Sequence, residues 1–399
     1  MKRRHFLQHA ALAGATGIIS AGLHGWAWKN PSQAASNHTP PRLIVILLRG
    51  AADGLNIVVP YQASHYYKAR PTIAIAPPGE TNGALDLNGE FGLHPALQAL
   101  MPHWQNQNLA FVPACGLPVL SRSHFAAQDN LERGMVGSAR SVAGWLNRLL
   151  AFLPNNHPTQ AVGMGRNAPL ILQGPQSVAN LAITGAGLRP LPIDRPQIHT
   201  YFDQLYARDT RLGPIYHEGR MARDILLRQI NEEAMEASRG APSPGRFANS
   251  ARYLAQLMVG DSSTQVAFLE LGQWDTHVNE RGILNRNLRL LGDGLAVLAQ
   301  ELGDVYQNTA IVVMSEFGRT IAENGNGGTD HGYGNALWLM GGAIKGQQMY
   351  GEWPGLAPAQ QHQSRDLEIT TDFRDVLGSL LAAEKSVEVH TLEIPEQAR

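Results

Sequence analysis

The run Arg42-Leu43-Ile44-Val45-Ile46-Leu47-Leu48-Arg49, closed by Gly50, holds six aliphatic residues without a break. A strand with one wet face would alternate. An unbroken run is a strand covered on both sides, as in a parallel sheet between helical layers. Outward along the chain, 264–271 and 309–314 read the same way, and 108–113, 336–340 and the shorter 169–172 are further strand candidates. Helical spacing separates them, over 95–105, 123–133, 142–152, 247–259, 284–302 and 372–383, with two more helices expected within 198–238. In 284–302 Leu284, Leu288, Leu291, Leu295, Leu298 and Leu302 recur at intervals of three and four, the mark of one buried face. Strands alternating with helices predict an α/β fold, a central mostly parallel β-sheet flanked by helices. A single domain is expected over 42–385, with the less regular stretch 155–245 as an insertion or cap.

Composition narrows the function. With 44% hydrophobic and 16% charged residues, the chain of 399 has enough apolar side chains for a large core. A net charge of -1 provides no field to draw in nucleic acid, so no nucleic-acid partner is expected. The single cysteine, Cys115, excludes both an intrachain disulfide and a multi-cysteine zinc site. Any metal must therefore be held by His, Asp and Glu.

The first residues have the layout of an export signal. Lys2-Arg3-Arg4-His5-Phe6-Leu7 is basic and then apolar, a small-residue apolar segment follows to about Leu23, and Ser32-Gln33-Ala34 supplies small residues for cleavage. Arg3-Arg4 before Phe6-Leu7 resembles the twin-arginine type, so 1–35 is read as that signal and the twin-arginine export machinery as a partner. The mature protein is expected in the periplasm or outside the cell. The apolar segment is shorter than the roughly 20 residues that span a bilayer, so no stable membrane span is expected after cleavage.

Functional groups in open α/β sheets gather beyond the carboxyl ends of the strands. The first strand is followed by Gly50-Ala51-Ala52-Asp53-Gly54, the 264–271 strand by Gly272-Gln273-Trp274-Asp275-Thr276-His277, and the 309–314 strand by Ser315-Glu316-Phe317-Gly318-Arg319. Gly327-Gly328-Thr329-Asp330-His331-Gly332 comes next. Any one of these acids could be a turn former and any one histidine a packed side chain. Together they form the carboxylate and imidazole set that binds divalent ions.

These four segments, with Leu48-Arg49 before the first and Leu55-Asn56 after it, resemble in order and spacing the bacterial proteins of unknown function known as DUF1501. The likeness runs from about residue 42 to 382. That family is grouped with the alkaline-phosphatase-like superfamily, which implies metals at the strand ends and, for the site, specific residues. The resemblance makes Asp53, Asp275, His277, Glu316 and His331 metal ligands. It makes Ser123, at the start of a helix, the candidate nucleophile, with Ser121 as the other choice and a plain helix cap as the alternative role for Ser123. Arg49 and Arg319 are the candidate substrate-binding residues, either for a phosphate or sulfate oxygen or for a neighbouring acid. The metal expected is zinc or manganese, with calcium also open. Two departures bear on this. Phe317 stands where the superfamily has a second histidine ligand, leaving one metal, or a second site using Asp330. Cys115-Gly116-Leu117-Pro118 lacks the Cys-x-Pro-x-Arg from which sulfatases make their nucleophile.

The resulting expectation is an exported metal-dependent hydrolase or transferase acting on a small anionic ester, phosphate before sulfate. The alternative is a non-catalytic exported binding or assembly protein that keeps the fold.

Overall fold

The computed structural model describes residues 40–381 except 120, 136–142, 154–156, 158, 166–167, 182–195, 207–208, 210–211, 214–238, 240 and 242–243. The proposed signal, 1–35, and most of the expected insertion lie outside the described residues.

Among the described residues the main sheet has nine strands: β1 (Arg42–Leu48), β2 (Leu109–Gly116), β3 (Ala161–Met164), β4 (Ala179–Leu181), β5 (Val266–Leu271), β6 (Thr309–Ser315), β7 (Asn335–Met340), β8 (Gln348–Met349) and β9 (Thr371–Asp372). Their order is β8-β2-β7-β6-β1-β5-β3-β4, with β9 also pairing β2. β1 lies at the centre, parallel to β5 on one side and to β6 on the other. Only β7 runs against its neighbours, β2 and β6. The expected mostly parallel α/β sheet is therefore what the chain forms.

Every residue of β1 is buried, and its side chains divide between two cores. Ile44, Ile46 and Leu48 point into one and Leu43, Val45 and Leu47 into the other, the two-residue period of a strand. The first core is closed by helices α4 (Phe247–Gly260) and α5 (Glu280–Leu302). The second is closed by α1 (His124–Arg133), α2 (Trp145–Leu150) and α6 (Phe373–Leu381). Helix α3 (Pro196–Tyr206) begins the polar stretch expected to hold two helices, and 214–238 lies outside the described residues.

The expected strand at 169–172 is instead a 3-10 turn, Leu170–Leu172, after Pro169. Four apolar residues are too few for periodicity to separate strand from turn. Two strands went unread on either side of it. β3 is built from Ala161-Val162-Gly163-Met164, where small residues hide the strand pattern, and a Cβ at Gly163 would lie 2.6 Å from the Asn180 side chain of β4. Part of the irregular stretch therefore belongs to the main sheet. The expected helix at 95–105 is broken in two, a 3-10 turn Pro95–Leu100 and a helix Met101–Gln105 with Pro102 in its first turn.

Candidate metal centre

β1, β5 and β6 end side by side, so the loops that follow them meet above the sheet. The meeting is tight. A Cβ on Gly50, whose φ is +115°, would lie 2.6 Å from the backbone nitrogen of Asp275. A Cβ on Gly328 would lie 2.4 Å from the His277 carbonyl. Glycine at these two positions lets the loops close on one point.

At that point His124 Nε2 lies 3.0 Å from His331 Nε2, and His277 Nε2 is also 3.0 Å from His331 Nε2. Asp275 Oδ1 is 3.0 Å from His277 Nε2 and 3.4 Å from His331 Nε2, and Asp275 Oδ2 is 3.6 Å from His124 Nε2. His124, Asp275 and His331 place one donor atom each within 4.8 Å of one another, and His277 adjoins the last two. A tetrahedral zinc with bonds of about 2.05 Å has ligand–ligand edges of about 3.3 Å. The observed separations match that scale.

The opposite ring nitrogens decide what these contacts are. His124 Nδ1 is 2.8 Å from Glu316 Oε1, His331 Nδ1 is 2.9 Å from the Arg122 carbonyl, and His277 Nδ1 is 3.3 Å from Asp330 Oδ1. All three partners are acceptors, so each Nδ1 carries the proton and donates it. In the neutral rings each Nε2 then presents a lone pair. Lone pairs 3.0 Å apart repel unless a proton or a cation sits between them. Anchoring Nδ1–H on a carboxylate or carbonyl is how proteins aim imidazoles at a metal. The donor set therefore fits a divalent ion.

Electrostatics agree. Burial alone would raise the Asp275 carboxyl, but the adjoining imidazoles of His124, His277 and His331 and the charge of Arg319 hold it far below the usual carboxylate range. Burial opposes protonation of His124, yet Asp275 and Glu316 bring its pKa to about 9. A site that so favours positive charge favours a metal cation as well.

The expected residues fall into different places. Asp275, His277 and His331 come together as read. Glu316 does not face the ligand atoms: its Oε1 accepts from His124 Nδ1, Gly50 N and Gln128 Nε2, each at 2.8 Å, so it orients His124 from behind. Asp53 is turned away, bonded to both terminal nitrogens of the fully buried Arg70. Beside it Glu280, held by Asn56, Thr276 and Thr329, is pushed up to about 8 by burial and by the Asp53 charge. A guanidinium thus fills the surroundings of Asp53 that a second metal would need. Arg49 is buried against Glu270, Glu132 and Gln128, and Arg319 is buried behind Asp275, 2.9 Å from its Oδ1. Neither reaches the open side of the site. Ser123 is exposed at the N-cap of α1, and its side chain makes no capping bond. Asp330 serves His277 instead of a second site.

His124 joins this donor group without being among the ligands expected from the sequence. Its only sequence signal is its place just after Ser123 at a helix start. Phe317, in the position of a missing histidine, packs its ring 4.9 Å from that of His124 and 5.2 Å from that of His331.

Several solved structures are similar in shape at low identity. A protein of the alkaline phosphatase superfamily from Vibrio parahaemolyticus is 11% identical with a TM-score of 0.42, and the match covers 96% of this chain and 76% of that one. The C-terminal periplasmic domain of EptC from Escherichia coli, solved in complex with zinc, is 10% identical, TM-score 0.40, over 91% and 87% of the two chains. The lipoteichoic acid synthase LtaP from Listeria monocytogenes is 9% identical, TM-score 0.39, over 94% and 79%. Scores this low lend no weight to a functional assignment. No curated protein matches the chain. The family model described as protein of unknown function DUF1501 matches residues 40–391, and the chain belongs to that family.

Proposed function

We propose that the protein is an exported, single-metal hydrolase or transferase acting on an anionic ester, phosphate before sulfate. One observation carries this reading. His124, His277 and His331 each donate an Nδ1–H hydrogen bond to a fixed acceptor and turn Nε2 toward Asp275. His124, His331 and Asp275 would hold the ion, with His277 as the fourth donor. Three imidazoles and one carboxylate suit zinc, then manganese, whereas calcium takes oxygen ligands. Such an ion would supply Lewis-acid polarisation and neutralise charge building on the ester.

The remaining work falls to the chain. Arg319 neutralises Asp275 from the buried side, and Glu316 keeps His124 in the ligating tautomer. Ser123, exposed beside His124, is the candidate nucleophile. Sulfate ranks second because the chain lacks the Cys-x-Pro-x-Arg precursor. Export rests on residues 1–35, which lie outside the described residues. No helix among the described residues is long and apolar enough to cross a membrane.

The test is turnover of a phosphate-ester panel by zinc-loaded protein. The reading expects activity that falls at least about a hundredfold in Ser123→Ala if the serine attacks. Bound zinc with no turnover on any ester would instead favour the non-catalytic binding protein.

A further inference from the structure

The geometry points to an oxyanion clamp made by Arg122 and Arg365, set beside the metal ligands and taking the charged oxygens of a phosphate- or sulfate-class ester. The clamp rests on the metal-site reading and supplies what that reading lacks, a reachable positive group for the substrate.

The two arginines grip His331 from both sides. His331 Nδ1 donates to the Arg122 carbonyl at 2.9 Å, and Arg365 Nη1 donates to the His331 carbonyl at 2.9 Å. Both guanidiniums share one carboxylate. Arg122 Nη2 is 2.6 Å from Asp366 Oδ2, and Arg365 Nη1 is 3.1 Å from Oδ1 and 3.3 Å from Oδ2. The Asp366 side chain is fully buried, while those of Arg122 and Arg365 are 34% and 39% exposed. One hidden negative charge thus anchors two partly open positive ones, and the trio keeps a net charge of +1.

The mount is fixed. Arg365 ends the turn of a small hairpin, Gln361–His362 with Asp366–Leu367, whose Gln363 and Ser364 adopt φ of +52° and +53°. Bridges from Thr320 to Asp366 and from Arg319 to His331 stitch this hairpin to the loop carrying the ligand. Arg122 spends only Nη2, on Asp366 and on Gln363 at 3.2 Å, and its Nε is buried with no partner among the described residues. Among the described residues Arg365 bonds through Nη1 alone. Planar forks with spare donors, held by a buried acid, match a tetrahedral oxyanion, and pre-ordering lowers the entropy lost on binding. The nearby Asp330 is occupied by His277 and Asn324.

The experiment is a calorimetric titration of full-length, zinc-loaded protein with inorganic phosphate, zinc content being measured on each sample. Arg122→Gln and Arg365→Gln should each weaken phosphate by roughly tenfold, the loss of one charged hydrogen bond, with zinc retained. Arg252→Gln, on the outer side of α4, should change nothing. Arg122→Lys and Arg365→Lys keep a charge beside Asp366 and decide the matter if the glutamine variants fail to fold. They should still bind phosphate several-fold more weakly, because an ammonium lacks the fork. Equal phosphate affinity in all folded variants, or no phosphate binding by the zinc-loaded wild type, overturns the clamp. A wild type without zinc is a failure of the metal reading, and the same phosphate titration then judges the clamp by itself.

Discussion

Glu316 and Asp53 are both buried acids after central strands, yet only one serves the site. Glu316 Oε1 accepts hydrogen bonds from His124 Nδ1, Gly50 N and Gln128 Nε2, which help hold it ionised, near pKa 2, although burial alone would raise it. Glu316→Ala should lower zinc affinity by roughly 10- to 100-fold, measured by competition with a chromogenic chelator. Asp53 closes a buried ion pair with Arg70. Asp53→Ala should cost roughly 3–5 kcal/mol in denaturant unfolding, since it strands that guanidinium, while zinc content stays at the wild-type level. In sequence the two acids look alike, because the residue that claims Asp53 lies 17 positions away on another element. Three of the clustered donors, Asp275, His277 and His331, were legible, because they stand in the glycine-rich loops around the strand ends. His124 was not, since a histidine starting a helix normally reads as a cap. His94 is such a cap: its Nδ1 accepts from Ala96 N at 3.0 Å. Burial pulls the His94 pKa down from 6.5 to about 4, with the Asp53 charge opposing and Arg281 assisting. Its folded-state pKa lies below the unfolded value, so its contribution is complete above pH 6.5 and is lost as pH falls toward 4. That loss is on the order of 3 kcal/mol. His94→Asn keeps a capping oxygen and cannot titrate. With chelator present in both proteins, the drop in melting temperature from pH 7 to pH 4.5 should be smaller in His94→Asn, and an equal drop would contradict this.

Among the elements, α5 shows where sequence suffices. Leu284, Leu288, Leu291, Leu295, Leu298 and Leu302 are at most 1% exposed, as their spacing requires. Leu291→Ala should cost roughly 2–5 kcal/mol by chemical unfolding, with the higher end if the cavity cannot collapse. The start of α5 was not legible. Its first turn is polar, and it begins at Glu280 because that side chain is drawn inward by Asn56, Thr276 and Thr329. Such partners leave no periodic mark. β1, β5 and β6 were readable because strands buried on both faces need unbroken aliphatic runs. β3 and β4 were not, because small residues and Asn180 fill their short pairing. The hairpin at 361–367 carries no apolar alternation either, yet it mounts Arg365 beside His331.

At the scale of the molecule, the fold gathers the site by topology. The parallel strands β5, β1 and β6 deliver their loops to one edge, and α1 meets them from the side with His124 at its first turn. Donors from three distant segments would make a bound ion a cross-link, so its removal should loosen the whole sheet edge. A ligand that binds only the folded state stabilises it by mass action. Elemental analysis of the protein purified in folded form without chelator tests the central claim most directly. The account predicts about one zinc or manganese ion per chain, set by one complete ligand set, and its loss in His331→Ala. No metal after reconstitution, or the same metal content in wild type and His331→Ala, would contradict it.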